Sequence, residues 1–195
     1  MKLNRKLTFL KRINKILEYI IYAVCLLVIV LPYIPKLSFW AEKYVVAETK
    51  YHATEYIPDY DLSYNHLIIP SIVIDRKIVE ADNMKQVHEN VWRRPRGSTP
   101  EKDSNTVLVA HRYATIGGNR ASTFYNLPEL VNGDKIYVAW QGKLYTYEVY
   151  ETDTVEPTAI EIEDPTADPI LTLYTCTPLW TASHRFVVRA RLITQ

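Results

Sequence analysis

Cysteines are scarce in this chain, and their scarcity limits how the fold can be held together. Only Cys25 and Cys176 occur among the 195 residues. Cys25 lies inside a long apolar run, so an intramolecular disulfide is not expected. Cys176 is therefore an unpaired thiol, which is either an inert residue of the core or a functional group.

Several motifs that carry common chemistry are also missing. The sequence has no GxxxxGK[ST], CxxC or HExxH pattern, so we expect neither a nucleotide-binding fold nor a zinc site. It has no internal repeat and no low-complexity stretch. With a formal net charge of +1, the chain gives no indication of a nucleic-acid partner, because such proteins usually carry a strong basic patch.

The charge that is present is distributed unevenly. Residues 1–15 hold six of the 23 Lys and Arg and none of the 22 Asp and Glu. Residues 19–34 follow without a charge, and the segment 16–35 is predicted to be a transmembrane signal anchor. By the positive-inside rule the basic tip at 1–15 is cytoplasmic, which places the rest of the chain outside the cell. A cleaved signal peptide and a buried core helix are the alternatives, but the run is long for a signal peptide and no A-x-A site follows it.

The remaining residues predict a linker and one β domain. Residues 36–64 mix aromatic and charged side chains without a strand period, and we interpret them as a stalk or lid-like linker. Between 65 and 195, short runs of β-branched and aromatic residues alternate with turn signals. The predicted strands are 66–80 (one edge strand or two short strands broken at Pro70), 105–111, 135–140, 144–155, 170–176 and 185–193, with a short helix at 122–130. Short strands with few helices predict a mostly β domain, closed as a barrel or folded as a sandwich.

Three side chains of catalytic type fall at predicted strand ends. His111 ends one strand, Cys176 ends another and Arg185 begins a third. A thiol nucleophile needs a nearby base or a charge that favours the thiolate, and an imidazole can serve. An acyl-transfer reaction also needs a donor for the developing oxyanion, which a guanidinium can provide. His184 and Arg189 are nearby and compete for the same roles.

These residues carry a resemblance to a known family. The segment TLYTC at 172–176, followed by Arg185 nine residues after the cysteine, resembles the TLxTC…R signature of sortases. VLVAHR at 107–112 is similar to the sortase histidine motif, although the family usually has glycine where Ala110 stands. The similarity covers residues 66–193 and keeps the family order of histidine, cysteine and arginine. It implies an eight-stranded sortase-type β-barrel with one or two short helices, preceded by an N-terminal transmembrane helix.

The resemblance also implies a reaction. Cys176 is the expected nucleophile, His111 the acid/base and Arg185 the residue that aligns substrate and stabilises the oxyanion, with Thr172 and Thr175 as expected substrate-binding residues. The implied activity is that of a cysteine transpeptidase, which cleaves an LPxTG-type sorting signal through a thioester and transfers the acyl group to an amine. The expected partners are surface proteins or pilins with a C-terminal sorting signal, and an amine acceptor such as a cell-wall precursor or a pilin lysine.

The sequence leaves three questions open. The short segment between the cysteine and the arginine is similar to pilus-type and housekeeping-like sortases, so the subclass is undecided. No cofactor is expected, although some sortases bind calcium and an acidic loop here has suitable carboxylates. These are Glu161, Glu163, Asp164 and Asp168. A cysteine peptidase that passes the acyl group to water would use the same residues, and the sequence does not separate it from a transpeptidase. A binding module with a degenerate site is the other alternative, and the intact set of cysteine, histidine and arginine argues against it.

Overall fold

The computed structural model describes residues 2–31, 62–83, 87, 90–113 and 123–194. The predicted linker at 36–64 falls outside these residues except for its last three positions, so its role as a stalk or lid stays a prediction. The N-terminal helix and the β domain belong to separate compact units, Met1–Glu42 and Lys43–Gln195.

The first unit contains one long helix, α1, which runs from Lys2 to Val30. Its segment Lys11–Val30 reaches a mean hydropathy of 2.1, and none of its most apolar window is buried. The length fits the roughly 20 residues that cross a bilayer, and it equally fits a signal sequence. The helix begins before the predicted span at 16–35, because the basic residues of the tip are good helix formers; positions 32–35 lie outside the described part.

The second unit is a closed barrel of eight strands, which confirms the fold predicted from the resemblance. Around the barrel the strands follow the order β1-β2-β3-β4-β7-β8-β6-β5. Their bounds are β1 His66–Ile69, β2 Ile74–Val79, β3 Val91–Arg93, β4 Asn105–Val109, β5 Lys135–Trp140, β6 Lys143–Val155, β7 Ile170–Thr177 and β8 His184–Thr194. Among the described residues, short 3₁₀ turns occur at Pro70–Ile72, Leu127–Glu129 and Ile160–Glu163. The first of these turns separates β1 from β2, so the prediction of two short strands broken at Pro70 is confirmed, and the alternative of one edge strand is wrong.

The interior of the barrel is filled by side chains from strands far apart in the sequence. Leu67, Leu108, Val138 and Leu173 are each 0% exposed, and Tyr145 is 1% exposed. All five residues of β4 are buried, as expected for a central strand that pairs on both sides. The buried core fixes the positions of β4, β7 and β8, whose ends carry the residues of catalytic type.

The hairpin of β5 and β6 matches the sequence prediction closely. Its turn residues Gln141 and Gly142 have φ values of 49° and 80°, the positive pair that a two-residue type I′ turn requires. The predicted helix at 122–130 is wrong. Residues 123–126 form turns, followed by one 3₁₀ turn. Phe124 and Leu127 are both 0% exposed, and their three-residue spacing suits a 3₁₀ turn better than an α-helix.

Candidate active site

The register of three neighbouring strands brings the predicted catalytic residues together. β7 pairs antiparallel with β8, and this places Cys176 directly opposite Arg185. β7 also pairs parallel with β4, where Val109 is level with Tyr174. His111 and Cys176 each lie two residues further along, and the 2.9 Å hydrogen bond from the hydroxyl of Thr175 to the carbonyl of Ala110 keeps the two segments side by side beyond the end of β4. Residues 65 positions apart in the sequence are therefore neighbours in the fold.

Cys176 is accessible because of the alternation of β7. Leu173 and Thr175 are buried, with 0% and 1% exposed, whereas Tyr174 and Cys176 are half-buried on the opposite face. Successive side chains of a strand point to opposite faces, so the thiol is on the outside of the barrel wall. It is a free thiol and forms no disulfide in the described chain.

The backbone around His111 is held by neighbouring segments. The hydroxyl of Thr175 donates a 2.9 Å hydrogen bond to the carbonyl of Ala110, and the amide of Phe124 donates one of 2.9 Å to the carbonyl of His111. Ala110 is 1% exposed, so its β-carbon is accommodated in the core where the family usually has glycine. These bonds fix the end of β4 against β7 at the level of the thiol.

Arg185 supplies a cation beside Cys176 and also orders the loop between β7 and β8. Its Nη1 donates to the carbonyls of Ala182 at 3.1 Å and His184 at 2.9 Å. The guanidinium is thus oriented by the backbone of this loop. A planar guanidinium presents five N–H donors, so Nε and Nη2 remain able to donate to a ligand.

The two competing residues are engaged elsewhere. Nε2 of His184 lies 3.2 Å from a carboxylate oxygen of Glu156, and its Nδ1 lies 2.9 Å from the hydroxyl of Ser183. Arg189 forms an ion pair of 2.8 Å with Glu151. Arg189 is also four positions from Arg185 along β8, or about 13 Å at strand spacing. The geometry therefore favours His111 and Arg185 as the partners of Cys176.

Thr172 and Thr175, for which substrate binding is predicted, have hydroxyls that are bonded within the protein, and the predicted role stays a prediction. Thr172 is 0% exposed, and its hydroxyl donates a 2.8 Å bond to Oδ1 of Asn105. Thr175 is bonded to Ala110 as described above. Both hydroxyls donate hydrogen bonds to other residues of the domain, so each side chain would have to leave its position to contact a substrate.

The acidic loop before β7 is partly neutralised by arginines. Glu163, which is only 6% exposed, accepts bonds from Nε of Arg94 at 2.7 Å and from the hydroxyl of Tyr174 at 2.6 Å. Asp164 pairs with Arg96 at 2.6 Å. Among the residues that the structure describes, no three His, Cys, Asp or Glu side chains are grouped so as to hold a metal. Calcium binding by Glu161, Glu163, Asp164 and Asp168 stays an untested prediction.

Two residues that sequence reasoning did not single out lie close to the site. Tyr174 is on the same face as Cys176, and burial, reinforced by its bond to Glu163, raises the pKa of its phenol well above the usual value. Arg112 follows His111 directly, and its Nη1 donates to the hydroxyl of Thr177 at 2.5 Å. Burial lowers the pKa of Arg112. No sequence motif marks these contacts, because each joins residues from different segments of the chain that only the folded structure brings together.

A closed eight-stranded barrel defines a candidate cysteine acyl-transfer site, with a thiol and a guanidinium near facing ends of β7 and β8. The imidazole lies two residues beyond β4, which ends at Val109 and not at His111 as predicted. Comparison with known proteins agrees with this class. The model of the sortase domain matches residues 67–193, and the chain belongs to the sortase family.

Individual relatives are more distant. The chain is 26% identical over 156 residues to sortase A of Streptococcus agalactiae serotype III, covering 80% of this chain and 60% of that protein. Among solved structures, sortase C1 of GBS pilus island 1 is 30% identical with a TM-score of 0.61, covering 67% of this chain and 64% of that one. Sortase A from Corynebacterium diphtheriae is 25% identical with a TM-score of 0.62, covering 68% and 61%. The chain spans about three fifths of the length of the curated relatives, and A-type and C-type sortases resemble it about equally.

Proposed function

We propose that this protein is a membrane-anchored, extracytoplasmic cysteine transpeptidase that cleaves an LPxTG-type sorting signal and transfers the acyl fragment to an amine. The observation that carries the proposal is the strand register. Cys176 pairs with Arg185 across β7 and β8. Just beyond the end of the ladder between β4 and β7, the hydroxyl of Thr175 bonds to the carbonyl of Ala110, so the residue before Cys176 is held to the residue before His111. Membership of the sortase family supports the same assignment of roles.

The proposed first step is acylation of the thiol. The thiolate of Cys176 attacks the carbonyl carbon of the threonine in the sorting signal, and the guanidinium of Arg185 donates hydrogen bonds to the developing oxyanion. The bond to the following glycine then breaks, and protonated His111 gives its proton to the leaving amine. A thioester and a neutral imidazole result.

The second step reverses these roles. An incoming amine attacks the thioester carbonyl and loses a proton to His111, and the bond between carbon and Sγ breaks to release the thiolate. The product is a new amide bond. A single acid/base residue is sufficient because it ends each cycle in the protonation state in which it began.

The proposed location follows from α1 and the charge of the tip. The part of the apolar segment Lys11–Val30 that follows position 15 would span the membrane, with the basic residues 1–15 in the cytoplasm and the barrel outside. There the barrel would meet surface proteins or pilins that carry a sorting signal. The proposed acceptor is the amine of a cell-wall precursor or of a pilin lysine.

The competing function is hydrolysis by the same residues. A cysteine peptidase would form the same thioester and pass its acyl group to water, so the catalytic geometry is common to both. The two differ only in whether an amine competes successfully with water at the thioester. The discriminating observation is therefore the nature of the product.

The test uses the full-length protein in detergent micelles with an LPxTG peptide, with and without an oligoglycine amine. Mass spectrometry separates the ligated product from the hydrolysed one. We expect ligation that depends on the amine in wild type and none in Cys176→Ala or His111→Ala. Cys25→Ala is the matched control, because it removes the other cysteine, which lies in α1, and should keep full activity. Hydrolysis that is unaffected by the amine would instead support the peptidase, and equal activity in Cys176→Ala would exclude both.

A further inference from the structure

The two threonines that flank Cys176 are bonded to the two residues that flank His111. On one side, the hydroxyl of Thr175 donates to the carbonyl of Ala110 at 2.9 Å. On the other side, Nη1 of Arg112 donates to the hydroxyl of Thr177 at 2.5 Å. We call this pair of contacts the threonine bracket. The threonine bracket thus bonds the residues on either side of Cys176 to the residues on either side of His111.

The two halves of the bracket differ in kind. The half at Thr175 uses a backbone carbonyl, so it does not depend on which side chain stands at position 110. The half at Thr177 depends on a specific side chain, the guanidinium of Arg112, which is half-buried. β4 has already ended at Val109, so backbone ladder bonds no longer hold His111 at this level. The contact between Arg112 and Thr177 takes over where the ladder stops.

The charge of Arg112 is partly compensated at this position. Burial lowers the pKa of its guanidinium, and the carboxylate of Glu129 opposes that effect. One residue further on, the ring of Tyr113 packs edge-on against Trp180, with centroids 5.0 Å apart. Consecutive residues after His111 thus contact the segment that follows Cys176.

We propose that Arg112 is a positioning residue, which acts through Thr177 to hold His111 against Cys176 for proton transfer. The proposal rests on the proposed function, since it concerns the same thiol and imidazole. Arg112 does not itself contact the reacting atoms in this scheme. Its loss should therefore reduce the rate of the chemical step and leave the affinity for substrate nearly unchanged.

The kinetic test compares Arg112→Met, Thr177→Val and the double variant in the full-length protein. A displacement of about 1 Å at a catalytic group can cost about 100-fold, so we expect each single variant to lose at least about 10-fold in kcat with KM within about 2-fold. The double variant should lose no more than the worse single variant, because both changes break one contact. Arg112→Lys should lie between wild type and Arg112→Met.

The matched control is Arg189→Met, which removes an arginine that pairs with Glu151 on β6. It should keep wild-type kcat. A rise in KM without a fall in kcat would overturn the proposal, because it would mean that Arg112 contacts the substrate. Losses that multiply in the double variant would also overturn it, since the two residues would then act separately.

A second readout keeps the inference independent of the acyl-transfer reaction. In a Cys25→Ala background, iodoacetamide reports the reactivity of Cys176 alone. We expect Arg112→Met and His111→Ala to slow alkylation to the same extent, with no further slowing in the combined variant. If wild type transfers no peptide but this pattern holds, the proposed function fails and the positioning role stands. If Arg112→Met alkylates at the wild-type rate, the positioning role fails whatever the peptide assay shows.

Discussion

Replacing Thr172 with valine removes one hydroxyl group and leaves the side-chain volume almost unchanged. That hydroxyl donates a 2.8 Å hydrogen bond to Oδ1 of Asn105, and the two residues are 0% and 2% exposed. The amide nitrogen of Asn105 donates in turn to the carbonyls of Ile162 and Asp164, both at 3.0 Å. The substitution therefore leaves a buried acceptor without its donor, on a side chain that anchors the loop before β7.

The expected loss follows from this geometry. A buried polar atom left without a partner costs about 1–3 kcal/mol, and the acceptor here belongs to a side chain that is only 2% exposed. We expect the free energy of unfolding to fall by about 2 kcal/mol, which lowers Tm by about 4–8 °C in a chain of this size. Urea unfolding of the full-length protein in nonionic detergent measures the loss, with fluorescence of the buried Trp92 and Trp140 as the signal.

Two controls isolate the hydrogen bond. Thr152→Val makes the same chemical change at an exposed position of β6 and should alter stability by less than about 0.5 kcal/mol. Thr172→Ser keeps the hydroxyl and removes one buried methyl group, which should cost about 1 kcal/mol. Stability of Thr172→Val equal to that of Thr152→Val would refute the reasoning. A raised KM for the sorting peptide at unchanged stability would return Thr172 to the substrate-binding role that the sequence predicts.

Three further changes test other parts of the barrel. Gly97→Ala should destabilise the protein by about 1–3 kcal/mol, since a β-carbon there would lie 2.8 Å from Cγ2 of Val107; an unchanged urea midpoint would contradict the close approach. Arg94→Met removes the cation that pairs with the buried carboxylate of Glu163. It should lower the free energy of unfolding by about 2 kcal/mol in the same assay, which is less than the loss when a fully buried ion pair is broken. Wild-type stability of this variant would show that the pair contributes little. Burial raises the pKa of the Tyr147 phenol above its usual 10, so the contribution of the phenol to stability is complete below about pH 10 and is lost as the pH rises further. The urea midpoint of Tyr147→Phe should therefore fall less steeply with alkaline pH than that of wild type. Identical slopes would argue against a buried phenol.

Most strands could be predicted from the sequence because their signals are local. β-branched and aromatic runs marked β5 and β6, and the Gln141–Gly142 turn fixed their register. β7 and β8 were predicted to within a residue at the ends facing the site. The helix predicted at 122–130 failed for a physical reason: the segment buries Phe124 and Leu127 in one short turn, and apolar spacing over so few residues does not distinguish an α-helix from a 3₁₀ turn.

The candidate site was predictable in its members but not in its supports. The thiol, imidazole and guanidinium were recognisable from motif spacing and family resemblance. The contacts around them were not, because they join residues far apart in sequence: 69 positions separate Arg94 from Glu163 and 65 separate Arg112 from Thr177. The order and register of β3, β4 and β7 in the barrel bring such residues together, and no local pattern encodes which residues then meet.

The alternation of β7 explains why the residues beside the nucleophile are threonines that bond to the neighbouring strand. Cys176 must be on the outer face to be accessible, so residues 175 and 177 belong to the opposite face. A slip of one residue in the ladder would bury the thiol and turn the threonines outward. The hydroxyl of Thr175 donates to the carbonyl of Ala110 in the native register, and a slip would turn that hydroxyl away and leave the carbonyl of the buried Ala110 without this donor. The same contacts that hold His111 level with the thiol therefore also oppose the register in which the thiol would be inaccessible.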